Sequence, residues 1–111
     1  MGITKSELFT DHQNDVANLA RVLAHPARIA ILQHIGSQQT CINTDLVQEL
    51  GLAQATISQH LRELKEAGLI QGSVEGVRLN YCINSFALNK AKLILENFFF
   101  EIKSAANGNC C

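Results

Sequence analysis

Polar side chains with hydrogen-bonding ends cluster between Gln54 and Arg62, in the stretch TDLVQELGLAQATISQHLRELKEAG that runs from Thr44 to Gly68. Ile57, Leu61 and Leu64 follow the spacing i, i+4, i+7, which predicts a helix from Gln54 with one buried stripe. Gln54, Thr56, Ser58, Gln59 and Arg62 fall off that stripe. Amide and hydroxyl groups so placed can pair with base edges and phosphate oxygens in a DNA major groove, where each base pair shows its own donor and acceptor pattern. The plainer reading of the same face is a solvated helix surface. A second set of reactive groups is sulfur: Cys41, Cys82 and the adjacent Cys110 and Cys111. In a chain that reads as cytoplasmic, four cysteines point to working thiols rather than a disulfide framework.

The elements that must position these groups are legible around them. Asp45, Leu46, Val47 and Leu50 predict a short helix stopped at Gly51, a residue suited to a left-handed cap. Leu52 and Ala53 make a turn, and Gly68 closes the second helix. This is a helix–turn–helix over residues 45–67. Behind it, LIQGSVEGVRLNYCIN alternates apolar and polar residues, which predicts a hairpin over 69–83 turning at Glu75-Gly76. Ahead of it, residues 6–24 read as a helix capped by Ser6, with Leu8, Val16, Leu19, Ala20, Leu23 and Ala24 on its apolar side. His25-Pro26 breaks that helix, and Pro26 starts a second one ending near Ile35-Gly36 that buries Ile29, Leu32, Ile31 and Ile35. Cys41 to Thr44 is expected to lead straight into the motif, with Asn43 or Thr44 as cap. Residues 85–104 form a last helix whose apolar positions, among them Phe86, Leu93, Phe98, Phe99 and Phe100, wrap more than one face. A chain this small cannot cover them all, so the last helix, with help from the first, is expected to build a homodimer. Residues 105–111 are a small, polar tail that ends in the cysteine pair.

The 111 residues amount to one domain, 47% apolar, with no run of 18 apolar residues and no basic-then-apolar leader at the start. The expectation is a protein with no membrane partner. Net charge is −1 with a pI near 6.4, which opposes DNA binding at first sight. Between residues 52 and 78, Arg62, Lys65 and Arg78 are matched by Glu63, Glu66 and Glu75. A dimer presenting two copies of a small basic footprint answers this, at the cost of weak non-specific binding. Catalysis finds no support: no nucleophile–base set, no glycine-rich phosphate loop and no His/carboxylate cluster on one helix face. A winged helix that contacts another protein instead of DNA is the remaining competitor.

Taken together, LARVLAHPARIAILQHI, DLVQELGLAQATISQHLRELKEAGLI and EGVRLNYCIN resemble the ArsR/SmtB family of small bacterial metal- and metalloid-responsive repressors. The likeness covers residues 15 to about 102. It implies a mainly α winged helix-turn-helix (helix-helix-helix-helix-strand-strand-helix), dimeric through the terminal helices, that binds operator DNA without a cofactor and lets go when an inducer binds. Carried onto this chain, it adds His60 to Gln54, Thr56, Ser58 and Gln59 as groove and phosphate contacts, Arg62 as a backbone contact, and Arg78 as the wing residue reaching a minor groove or phosphate. His60 also reads as a half-buried helix residue. His25 reads as a helix-end residue, and Arg28 as an orienting group for the first two helices or a partner for a carboxylate.

The resemblance also frames the inducer. The family's Cys-x-Cys pair before Asp45-Leu46 is missing here, because Ile42 and Thr44 fill those places. Its zinc site of Asp and His across terminal helices is missing too, since the last helix carries neither residue. Cys41, Cys110 and Cys111 remain. Trivalent arsenic and antimony are soft and take three thiolates, so As(III) or Sb(III) on these three is the leading expectation. A disulfide-forming thiol sensor on the same residues, another soft metal, or no ligand at all stay open. Cys82 has no evident partner in the sequence.

Overall fold

The computed structural model describes residues 5–37, 42–43, 50–75 and 78–102. The first helix, α1, is Asp11–Leu23, shorter than the 6–24 expected. Lys5–Leu8 form a 3-10 turn instead, and Thr10 takes the capping role assigned to Ser6. The reason is a reciprocal box. Thr10 Oγ1 accepts the Gln13 N–H at 3.1 Å, and Gln13 Oε1 accepts the Thr10 N–H at 3.0 Å. Leu8 is left 65% exposed, and the residue of α1 that enters the core is Val22.

Pro26–Ser37 forms α2, and it buries Ile31 and Ile35 while Ile29, expected inside, stays exposed. Ile31 and Ile35 lie four apart on one face, and Ile29 lies off that face. The first motif helix, expected at 45–50, falls outside the described residues except for Leu50, which is helical and packs on the core. Gly51 has φ 68°, the left-handed conformation expected of it. The predicted second motif helix is α3, Gln54–Glu66, with Ile57, Leu61 and Leu64 each buried to within 1% of fully. The core joins these three to Val22, Ile31, Ile35, Leu69, Ile70 and Tyr81.

Past α3 the chain turns once and becomes a hairpin, β2 (Ile70–Glu75) and β3 (Arg78–Ile83), in antiparallel register from Ile70 opposite Ile83 to Glu75 opposite Arg78. The tip residues 76 and 77 lie outside the described residues. The turn into the hairpin is tightly made. Gly68 has φ 84°, its N–H donates to the Lys65 carbonyl at 2.9 Å, and the Leu69 N–H donates to the Leu64 carbonyl at 3.1 Å. That pair of bonds is the Schellman ending of a helix, with its apolar contact supplied by Leu64 and Leu69. The Leu69 carbonyl in turn accepts the Asn84 N–H at 3.0 Å. Asn84 caps the last helix, α4 (Ser85–Glu101), by accepting the Ala87 N–H at 3.2 Å.

One element was not expected. Ile42–Asn43 is a strand, labelled β1, which pairs with β3 on the side away from β2 and makes a three-stranded sheet in the order β1-β3-β2. Ile42 and Asn43 thus join the sheet of the wing, and the residues that follow them, 44–49, lie outside the described residues. The helix α4 has no buried residue, and Phe86, Leu88, Leu93, Phe99 and Phe100 are all exposed, as the excess of apolar positions implied. It lies alongside α1, with His12 Nε2 of α1 3.3 Å from Glu101 Oε1 at its end. No described helix is long and apolar enough to cross a membrane.

Candidate nucleic-acid interface and thiol positions

Burial of Ile57, Leu61 and Leu64 decides which way α3 faces. With that stripe turned inward, Gln54, Thr56, Gln59 and Arg62 are exposed, and Ser58 and His60 are half-buried at the margin. The helix starts at Ala53, whose side chain makes no capping bond. Its first-turn N–H groups are therefore left for solvent or an anion, and phosphate suits them by charge and geometry. Gln59 Nε2 reaches the Glu63 carboxylate at 3.4 Å, a weak tether that a base edge could replace. Arg78 begins β3, opposite Glu75 at the far end of the hairpin.

Arg28 explains how His60 is held. Arg28 is 7% exposed, the one buried charged residue among those described. Its Nη1 donates to the Val22 carbonyl at 3.1 Å, and its Nε donates to His60 Nδ1 at 3.1 Å. It therefore fastens the end of α1 to α2, as anticipated, but its other partner is an imidazole and not a carboxylate. The His25 ring lies 5.5 Å from that of His60, tilted by 46°. His25 also serves the backbone, since its carbonyl accepts the Arg28 and Ile29 N–H groups that open α2. Because His60 Nδ1 accepts, the neutral ring carries its proton on Nε2, which makes that atom a donor.

The His60 pKa is lowered from its ordinary 6.5, first by burial, then by the Arg28 guanidinium and by His25, against a smaller opposing pull from Glu63. With the folded value below the unfolded one, the unfolded chain takes up the proton first. The stabilisation is whole above about pH 6.5 and is lost as pH falls through the folded value. We expect the drop in urea midpoint from pH 7.5 to 5.5 to be smaller in His60→Gln than in wild type. Equal drops would place the acid-sensitive group elsewhere.

Among the described residues no three of His, Cys, Asp and Glu gather where a metal could sit. Cys41, Cys110 and Cys111, the expected thiolate set, lie outside the described residues. The half-buried Cys82 departs from expectation, because it is disulfide-bonded.

A helix seated on a helical platform by one apolar stripe, and followed at once by a two-stranded hairpin, defines a winged helix-turn-helix protein. The family model described as "Bacterial regulatory protein, arsR family" matches residues 25–71. The transcriptional repressor PagR of Bacillus anthracis is 30% identical over 84 residues, covering 70% of this chain and 84% of PagR. The chain belongs to the ArsR family of bacterial regulatory proteins. The HTH-type transcriptional repressor SmtB of Mycobacterium tuberculosis is 41% identical over 63 residues, 57% of this chain, and the match spans about half of SmtB's length, 46%. Among solved structures, a possible transcriptional regulator for arsenical resistance superposes with a TM-score of 0.65 at 26% identity, covering 74% of this chain and 84% of that one.

Proposed function

We propose that this chain is a homodimeric, sequence-specific DNA-binding repressor that a thiol-directed signal releases from its operator. The observation that carries the reading is the orientation of α3. Its apolar stripe is locked into the core, so Gln54, Thr56, Gln59 and Arg62 stand outward, with Ser58 and His60 half-buried at the margin of that face. Gln54 and Gln59 are suited to adenine, Thr56, Ser58 and the His60 Nε2–H to phosphate, and Arg62 and Arg78 to the backbone on either side. The apolar residues left exposed on α4 are the surface for the second copy, which doubles a footprint too small to hold DNA alone.

For the signal, As(III) or Sb(III) on Cys41, Cys110 and Cys111 fits the softness and number of the thiolates. The arsenical-resistance description of one similar structure supports it. A thiol-redox signal is the second reading, and the disulfide at Cys82 favours it. The test is binding to DNA upstream of the protein's own gene. Gln59→Ala should weaken the specific complex by about 1–3 kcal/mol while sparing binding to random sequence. Arsenite should release wild type but not Cys110→Ser/Cys111→Ser. Equal affinity for operator and random DNA would reject the repressor reading in favour of a protein-interaction module.

A further inference from the structure

Arg28 offers His60 a donor that cannot be switched off. Its charge is buried, which costs free energy unless partners compensate it. The compensation lies at the end of α1. Nη1 donates to the Val22 carbonyl at 3.1 Å. That carbonyl belongs to the last turn of α1, and the residue four ahead of it, Pro26, has no N–H to give it. The negative end of a helix also suits a cation. A guanidinium keeps its protons throughout the working pH range, so whatever faces Nε must accept. At 3.1 Å that group is His60 Nδ1.

An imidazole has one way to meet this demand. Neutral and protonated on Nε2, it accepts at Nδ1. With the proton on Nδ1, or on both nitrogens, an N–H faces an N–H, and the imidazolium adds like-charge repulsion at close range. The surroundings act in the same direction. The His60 pKa is held below its ordinary value by burial first, then by Arg28, then by His25, whose ring lies 5.5 Å away, and Glu63 of the same helix is the opposing group. The two ring nitrogens point apart, so a ring tied by Nδ1 to a buried guanidinium turns Nε2 away from it. Among the described residues Nε2 has no hydrogen-bond partner and is not a buried atom. His60 follows the exposed Thr56 by four positions, one turn along the same side of α3.

We propose that Arg28 is a positioning residue for operator recognition: anchored on the end of α1, it holds His60 Nδ1 and presents Nε2–H as an aimed donor to a DNA phosphate at the margin of the reading face. The DNA half rests on the repressor reading above, whereas the state of the ring does not. At 7% exposure Arg28 has almost no surface of its own to offer DNA, so it acts through the imidazole. A ring already held in place loses less freedom on binding than a free one. Its contact is also uncharged, so it adds affinity without adding to the salt dependence.

The test has two arms, both on the full chain. Nitrogen NMR of the histidine rings in wild type at neutral pH should show His60 protonated at Nε2 and bare at Nδ1, and adding operator DNA should move the Nε2 signal. In Arg28→Met the His60 titration should shift to higher pH. A proton on Nδ1 in wild type, an Nε2 signal unmoved in the operator complex, or an unshifted titration would each overturn the proposal. The second arm is operator affinity in a double-mutant cycle. Arg28→Met should weaken it about two- to ten-fold, the worth of one uncharged hydrogen bond, and should cost nothing further once His60→Ala is in place. An equal loss in both backgrounds would make Arg28 purely structural and sink the proposal. Where Arg28→Met does not fold, the wild-type spectra with and without DNA decide. Should wild type hold operator and random DNA equally, the repressor reading fails, and the ring state still stands or falls by the first arm.

Discussion

Leu64→Ala is expected to remove about 2–5 kcal/mol of stability, a large share of the roughly 5–15 kcal/mol typical of a domain. Leu64 is 0% exposed, and it sits where three parts of the core meet. Its side chain belongs to the α3 stripe, its carbonyl accepts the Leu69 N–H that ends the helix, and Leu69 and Ile70 of the next element join the same cluster. Truncation leaves a cavity that neighbours on α2 cannot fill without moving, since Ile31 and Ile35 are themselves fully packed. The measurement is urea unfolding at one fixed protein concentration, because a dimer's midpoint shifts with concentration. A loss below about 1 kcal/mol would show that this junction can collapse, contrary to the packing described.

Gly72→Ala is the second. Gly72 stands opposite Tyr81 in the hairpin, and a Cβ there would collide with the Asn80 carbonyl oxygen, lie 2.5 Å from Tyr81 Cδ1 and 3.0 Å from Tyr81 Cα. Two of those three atoms are backbone and cannot swing aside. The ring of Tyr81 crosses the strand at the place a side chain would occupy, so glycine is the residue that lets the tyrosine close the core. Overpacking of this kind costs about 1–3 kcal/mol and more where backbone must shift. Tyr81 is the only tyrosine in a chain without tryptophan, so intrinsic fluorescence reports on this site directly. We expect an altered tyrosine signal, a lower urea midpoint and weaker operator binding. An unchanged spectrum and midpoint would mean the hairpin accommodates a methyl group freely.

The contrast between these two positions marks how far the sequence could be read. Leu64 was legible, because Ile57, Leu61 and Leu64 share one helical face and the period survives in isolation. Gly51 and Gly68 were legible for a similar reason: each follows a helical pattern and adopts the positive φ that ends one. Thr10 was legible in principle, since its box partner Gln13 follows at the right spacing, whereas Phe9 stands at that spacing from Ser6. Arg28 and His60 meet across 32 positions, and no local pattern announces such a contact. Strand β1 is two residues long, too short to show any period, and its partner lies almost forty residues away. The exposure of Gln54, Thr56, Gln59 and Arg62 was readable because the buried stripe of one helix determines it. The disulfide at Cys82 was not, because the residues around it carry no sign of a partner.

Leu69 carries a consequence for how such a molecule could be switched. Its N–H is held by the last turn of α3, its carbonyl holds the residue that caps α4, and its side chain is sealed in the core at 3% exposure. One residue thus works as a fixed protractor between the helix that would enter a groove and the helix that would meet a second copy. For a protein reading two half-sites about 34 Å apart, that angle is what the DNA measures. A displacement of Leu69 would therefore reach both helices at once.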